Sequence, residues 1–255
     1  MSDVRPVYDS LKDPGVLGVG FPPVRRNHLL DSLPPAAFDV LAPHLVQTTH
    51  AKDSVLQSPG RPIQRVYFPY TGLIAMVTGL EKGRLLDTVA IGREGAIGLS
   101  AGMGAQTAYS MAVVRFPVTG AEISAARFAE IAARSKPLRD LSTRYADALL
   151  AQVQQRLVCN TVHPVQERIC GWLLHAHDRV AADPLAVTQE ALAEALGVQR
   201  TTVTMNCRTL QSQGIIHVRR GRISIRNLAA LERTACSCYR IERQLTNAVN
   251  RSAAA

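Results

Sequence analysis

Residues 188–226 read TQEALAEALGVQRTTVTMNCRTLQSQGIIHVRRGRISIR, and the spacing inside this stretch decides the architecture. Thr188 is placed to cap a helix, its hydroxyl accepting from an early backbone N–H that has no partner inside the helix. Ala191, Leu192, Ala195 and Leu196 repeat at helical spacing and predict one buried stripe. Gly197 ends this helix, where a left-handed residue costs glycine least. A second helix begins near Gln199, with Val203, Cys207 and Leu210 as its inner face, and Gly214 stops it. Ala193 stands where the first helix must pass close to the second. This is the spacing of a helix-turn-helix, whose second helix fits a major groove.

A basic hairpin follows. Ile215, Ile216 and Val218 predict one strand, Ile223 and Ile225 the next, with a tight turn at Arg220-Gly221. From Ala195 through Leu231 there are six arginines (200, 208, 219, 220, 222 and 226) and no Asp or Glu. A surface with that asymmetry suits a polyanion, and Arg219, Arg220 and Arg222 cluster where a wing would reach phosphates.

Residues 163–235 therefore resemble the DNA-binding domain of the cyclic-AMP receptor and fumarate–nitrate regulator (Crp/Fnr) family of bacterial transcription factors. The family's Arg-Glu-Thr-Val run is matched by Arg200-Thr201-Thr202-Val203. The resemblance implies that Arg200 reads guanine and that Thr202 touches the backbone. Thr201 replaces a glutamate that accepts from cytosine, and Met205 replaces a second base-reading arginine. Asn206 stands where the family has an apolar residue, which leaves that packing to Cys207. The expected DNA set is Arg200, Thr201, Thr202, Thr204, Met205, Arg208, Arg219, Arg220 and Arg222, reading a half-site unlike the family's familiar ones.

Composition agrees. A chain of 255 residues accommodates two domains with their own cores. The net charge of +9 favours nucleic acid or an anionic membrane surface. No apolar run approaches membrane-spanning length, and the N-terminal MSDVRPVYDSLKDP lacks a secretory pattern. Five cysteines without a disulfide-like framework suit a reducing cytoplasm.

Along the chain, residues 1–26 read as a flexible arm and 27–45 as short helical turns. From Gln47 to about Pro117, β-branched runs alternate with the turns SPGRP, YFPYTG, EKGR and GREG, predicting a jelly-roll β-barrel. TGAEISAARFAEIAARSKP predicts a short helix after it. The expected fold is α+β: a cyclic-nucleotide-binding-like sensor domain over 27–136, a dimerisation helix over 137–162, the winged helix-turn-helix over 163–235 and a tail over 236–255. On the long helix, Leu138, Leu141, Tyr145, Leu149, Gln152 and Leu157 lie close to a heptad seam. In the resembled family that helix pairs with its two-fold mate.

The family's nucleotide cassette uses a Gly-Glu-Leu loop for the ribose and an Arg-Ser pair for the cyclic phosphate. Here Gly95, Ala96, Ile97 and Gly98 keep the loop without a carboxylate at the matching place, and Glu94 stands beside them. Tyr109-Ser110 replace Arg-Ser, which removes a charge-assisted clamp. These seven residues form the candidate effector pocket, and the effector is expected not to be cyclic AMP.

Other constellations carry less. Cys236-x-Cys238 resembles half a metal site, but no second Cys or His pair stands at ligand spacing, and Cys159 and His163 read as a buried cysteine and a linker histidine. No metal or cofactor is expected. No cysteine precedes Cys159, so the N-terminal iron–sulfur cluster of oxygen-sensing relatives is not encoded. His175 and His177 point to different helix faces. The chain has no Gly-x-Ser-x-Gly elbow, and neither its 92–104 loop nor Gly18-Val-Gly20 fits a phosphate or dinucleotide fingerprint, so it is not expected to be an enzyme. The expected function is a cytoplasmic homodimeric regulator with double-stranded DNA and RNA polymerase as partners and no membrane attachment. The alternative is a DNA-independent sensor of a ligand or protein partner, in which the arginine-rich wing is incidental.

Overall fold

The structure is a computed structural model that describes residues 27–79, 85–180 and 182–251. The arm expected over 1–26, the EKGR turn at 81–84 and the last four residues lie outside them.

Two short helices, α1 (His28–Asp31) and α2 (Pro35–Leu41), lead into the sheet domain. Asn27 fixes their start. Its buried side chain accepts from the Leu29 and Leu30 N–H groups and donates to the carbonyls of Pro69 and Gly95, at 2.9 and 2.8 Å. Strands β1 (Val46–His50), β2 (Val55–Gln57), β3 (Arg65–Gly79), β4 (Leu85–Ile91) and β5 (Met111–Ser124) form the expected jelly roll. They are antiparallel, in the order β1-β5-β3-β4, and β2 also pairs with β5. The register of β3 on β5 breaks between Pro69 and Thr71 and again before Leu73. Such bulges bend long strands, so each serves two cores. Val66, Phe68 and Tyr70 meet the helices, whereas Ile74 packs with Val89, Ile91 and Val114 inside the sheet.

Helix α3 (Ala125–Arg134) is capped by Ser124, and α4 (Lys136–Val162) follows. At 27 residues α4 is about 40 Å long. The seam expected on it is corrected by the packing. Leu138, Leu141 and Tyr145 are buried against α3 and the sheet of their own chain. Gln152 is buried and Leu149 half-buried. Of the expected seam only Leu157 is exposed, and it belongs to a different stripe: Leu150, Val153 and Leu157 at i, i+3 and i+7, flanked by Val158 and Val162, all open to solvent. A helix with two apolar stripes gives periodicity no means of telling which one meets the sheet.

Beyond α4 lie α5 (Val165–Val180), α6 (Gln189–Leu196), α7 (Arg200–Ser212), the hairpin β6 (Ile216–Arg219) and β7 (Arg222–Ile225), and α8 (Leu228–Thr234). The chain expected as a tail forms α9 (Cys238–Arg251), which packs back on α4, α5 and α1. It is tied there by Glu242, buried between His175 of α5 at 2.9 Å and Arg156 of α4 at 3.1 Å. The helix-turn-helix region and the sheet domain are continuous: Leu73 and Phe116 join Trp172, Leu192, Leu196 and Cys207 in one apolar cluster. Gly197, at φ +66°, turns so close to β4 that a Cβ there would come 2.7 Å from Leu86 Cδ1. Among the described residues no helix is long and apolar enough to cross a membrane.

Candidate DNA interface and sensor loop

The helix-turn-helix is built as its residues dictate. Thr188 Oγ1 accepts from Ala191 N at 3.0 Å, and Gly197 closes α6 in the left-handed region. Val203, Cys207 and Leu210 are fully buried on the inner face of α7, so Cys207 takes the packing role that Asn206 cannot. Asn206 instead bonds the Thr202 carbonyl one turn back at 2.8 Å. The outer face presents Arg200, Thr201, Met205 and Arg208 to solvent, with Thr202 half-buried beside them.

The wing pairs Arg219 with Arg222 across its turn. Arg220 and Gly221 both have positive φ, 42° and 75°, the backbone of the two-residue turn whose twist matches a hairpin. The side chains of Arg219, Arg220 and Arg222 are exposed around that tip. Gln211 anchors the wing to α7, its Oε1 accepting from Val218 N at 2.8 Å. Ile215 is buried just before the first strand rather than within it.

Two expected DNA contacts have partners within the protein. Thr204 is half-buried and donates to Gln189 Oε1 at 2.8 Å, which braces α7 against the start of α6. Its hydroxyl is occupied, so Thr204 is a bracing residue in this arrangement. Arg200 Nε lies 3.4 Å from Glu190 Oε2, with both side chains largely exposed. No local pattern announces Gln189 and Glu190 as partners of Thr204 and Arg200, because each pair spans the turn between two helices. The i, i+4 logic that would have found such pairs holds within one helix, not across a turn.

The candidate effector residues do not line one cavity. Glu94 lies at the top of the loop after β4, with its carboxylate consumed by Arg179 of α5. Nε donates to Oε1 at 2.7 Å, and Gly92 N donates to the same oxygen at 3.0 Å. Burial works to raise the Glu94 carboxyl, but the Arg179 guanidinium and the backbone N–H groups outweigh it and hold it below the ordinary carboxylate value. Gly95 lies under Tyr145, whose hydroxyl would be 2.4 Å from a Cβ there. That hydroxyl accepts from Ala96 N at 2.9 Å and donates to Ala96 O at 3.0 Å. Ile97 is buried in a bridge with Tyr67, and Gly98 turns at φ +77° beneath the Arg65 carbonyl. Tyr109 is 91 % exposed, and Ser110 offers its backbone carbonyl to Gln57. Gly98 gives this loop a left-handed turn, while the directions of its side chains are set by contacts far along the chain. The sheet domain's roomier opening, about 580 Å³, lies elsewhere, lined by His50, Gln57, Arg61, Arg65, Tyr67 and Glu122.

His175 completes the link between the two regions. Arg179 Nη1 donates to its Nδ1 at 3.0 Å, so the ring proton is on Nε2 and faces Glu242. Burial, reinforced by Arg179 and Arg156 against the pull of Glu242, lowers the His175 value and keeps the ring neutral. Cys159, Cys236 and Cys238 form a small buried cluster of their own where α4 passes the start of α9.

Comparison with known proteins agrees with this geometry. Residues 167–234 match the Crp-like helix-turn-helix domain. Over 206 residues the chain is 28 % identical to the global nitrogen regulator of Synechocystis sp., covering 75 % of this chain and 88 % of that protein. FixK2 from Bradyrhizobium japonicum has a similar structure, with a TM-score of 0.64 at 17 % identity over 75 % of this chain and 98 % of its own. A CRP-family transcriptional regulator from Thermus thermophilus superposes with a TM-score of 0.62 at 20 % identity, over 73 % of this chain and 95 % of its own.

Proposed function

We propose that this chain is a Crp-family transcription regulator, a reading supported by the match of residues 167–234 to the Crp-like helix-turn-helix domain and by the similarity to the global nitrogen regulator, and that it engages DNA through that domain. Two copies pair through the solvent-open stripe Leu150, Val153 and Leu157 of α4 and set their α7 helices in successive major grooves, about one helical turn apart. Arg200 leaves Glu190 to take a guanine edge, while Thr201, Met205 and Arg208 contact the bases along the same exposed face. Thr202 and the wing arginines Arg219, Arg220 and Arg222 hold phosphates. The protein acts in the cytoplasm, where its partner beyond DNA is RNA polymerase.

The observation that carries the control reading is the Glu94–Arg179 pair. The loop where the resembled family seats a ribose here grips the DNA-binding region instead, and no arginine stands at Tyr109-Ser110 to hold a cyclic phosphate. The effector is a small molecule other than cyclic AMP, and it acts by binding one arrangement of that grip better than the other. Trp172, packed 6.2 Å from Phe116 between the two regions, reports on the grip. Titration with cyclic AMP is expected to leave both Trp172 fluorescence and DNA affinity unchanged. A saturable micromolar response in both overturns the reading. Selection of bound sequences from random DNA is expected to enrich a two-fold-symmetric motif; enrichment of none removes the DNA-reading assignment.

A further inference from the structure

The cysteine cluster does more than fill space. Cys159 sits in the last turn of α4, and His163 follows four residues later, on the same face where that helix ends. Cys236 and Cys238 flank Ser237 in the bend between α8 and α9. The fold brings these two pairs together although Cys159 and Cys236 are 77 residues apart in sequence. The pair of ligands that Cys236-x-Cys238 lacked in the sequence is therefore present in space, which corrects the ordinary reading of Cys159 and His163.

The distances fit one ion. All four ligand atoms lie within 4.8 Å of one another, with Cys159 Sγ 3.5 Å from Cys236 Sγ and Cys238 Sγ 3.5 Å from His163 Nδ1. A tetrahedral zinc with bonds of about 2.3 Å to sulfur and about 2.0 Å to nitrogen separates its ligands by roughly 3.5–3.8 Å. A disulfide between Cys159 and Cys236 requires a bond of about 2.05 Å and leaves Cys238 and His163 without a purpose. The surroundings suit a thiolate set. Gln155 Nε2 donates to Cys238 Sγ at 3.0 Å. Three thiolates, a neutral imidazole and a divalent ion leave one negative charge. The buried Arg168, whose Nε has no hydrogen-bond partner, lies close enough to feel Cys159 and Cys236.

We propose that Cys159, His163, Cys236 and Cys238 form a closed, structural Cys3His site for a zinc-class divalent ion, pinning the end of α4 to the start of α9. Four protein ligands leave no open position, so the ion is not catalytic. The mixed sulfur–nitrogen set selects zinc over the oxygen-preferring magnesium or calcium. The clamp closes the chain around the whole helix-turn-helix and wing, residues 165–234, so it fixes where that region leaves the long helix at the start of α5. That consequence rests on the DNA-binding reading; the ion itself does not.

The test is the metal content of the full-length protein purified with its thiols reduced. About one zinc per chain is expected. Replacement by Co2+ should give thiolate-to-cobalt charge transfer and the intense visible bands of a tetrahedral centre. Cys159→Ser and Cys236→Ser should lose those bands, and Gln155→Ala should weaken zinc binding about tenfold or more while remaining tetrahedral. Should the serine variants fail to fold, titrating the unaltered protein with a mercurial is expected to release zinc in step with thiol modification. Zinc well below one per chain after reconstitution, or a weak octahedral cobalt spectrum, overturns the site. So does a Cys159–Cys236 disulfide as the stable form under reducing conditions. DNA binding is measured separately: loss of sequence selectivity with full zinc occupancy counts against the DNA reading alone.

Discussion

Glu190 and Arg200 face each other across the turn between α6 and α7, Oε2 to Nε at 3.4 Å, so the arginine proposed to read bases is held by an acid of its own motif. Both ends are exposed, so the pair contributes little to folding. In the proposed complex its effect falls on binding, because there Arg200 leaves Glu190 to reach a base. Glu190→Gln is expected to leave thermal stability unchanged and tighten specific DNA binding by up to about fivefold, the equivalent of a surface pair worth about 1 kcal/mol. Arg200→Ala is expected to cost about 1–3 kcal/mol of discrimination at one base pair of each half-site. Competition between selected and randomised duplexes measures both. Equal losses on the two kinds of DNA would remove Arg200 from base reading.

As proposed phosphate contacts, the wing arginines are expected to act on every sequence alike. With about six phosphates neutralised per dimer, the logarithm of affinity should fall with the logarithm of salt at a slope near −5. Arg220→Ala should weaken specific and random DNA equally and make the slope shallower by about one for each phosphate no longer neutralised. The turn tolerates the change, since the left-handed backbone at Arg220 is no harder for alanine than for arginine. Filter binding across a salt series gives the answer.

Leu157, 68 % exposed on α4, is the sharpest probe of pairing. Leu157→Glu places a charge at the centre of the proposed dimer face without touching the protein's own core. The variant should sediment as a monomer, keep its helical circular dichroism and lose most of its affinity for two-half-site DNA. A dimer that survives the change would put the interface elsewhere.

The Glu94–Arg179 pair is nearly buried, so removing one partner leaves an uncompensated charge. Glu94→Leu or Arg179→Met alone should destabilise the fold by about 3 kcal/mol, and the double change should recover much of that loss. Urea unfolding of the four proteins closes the cycle. Additive losses would mean that the two side chains do not depend on each other.

His175 sets a pH dependence whose direction follows from its surroundings. Buried beside Arg179 and Arg156, and only partly offset by Glu242, its folded value lies below its ordinary value of about 6.5. The unfolded chain therefore takes up the proton first. The stability tied to the neutral ring is complete above about pH 6.5 and is lost as pH falls from there toward the folded value. Glu242, also held below its ordinary value, adds a second loss at lower pH. Unfolding at pH 7.5 and 5.5 should show the unaltered protein weaker at the lower pH, with His175→Gln flatter across that interval. A parallel slope in the variant would assign the dependence to other groups.

How much of this was legible in the chain depended on how far apart the interacting residues lie. The helix-turn-helix and wing were readable because Thr188, Gly197, Gly214 and Arg220-Gly221 act on their immediate neighbours. Along α4, both the Leu138–Leu141–Tyr145 face and the Leu150–Val153–Leu157 face satisfy a helical period, and only the sheet decides between them. The loop at 94–98 turns at Gly98, in the left-handed region. Yet Tyr109 points into solvent and Glu94 toward α5, directions set by contacts 85 residues away for Glu94. The meeting of Cys159 and His163 with Cys236 and Cys238 depends on α9 folding back, which no local pattern announces.

Trp172 rests against Phe116 in a cluster that also holds Leu73, both side chains of the sheet, so the sheet and the helix-turn-helix region have one interior between them. Neither can melt while the other stays whole without wetting a tryptophan. Heating should therefore give a single cooperative transition in which Trp172 emission and sheet content change together. A fragment cut before α5 would leave that tryptophan against water, and would be a poor stand-in for the intact protein.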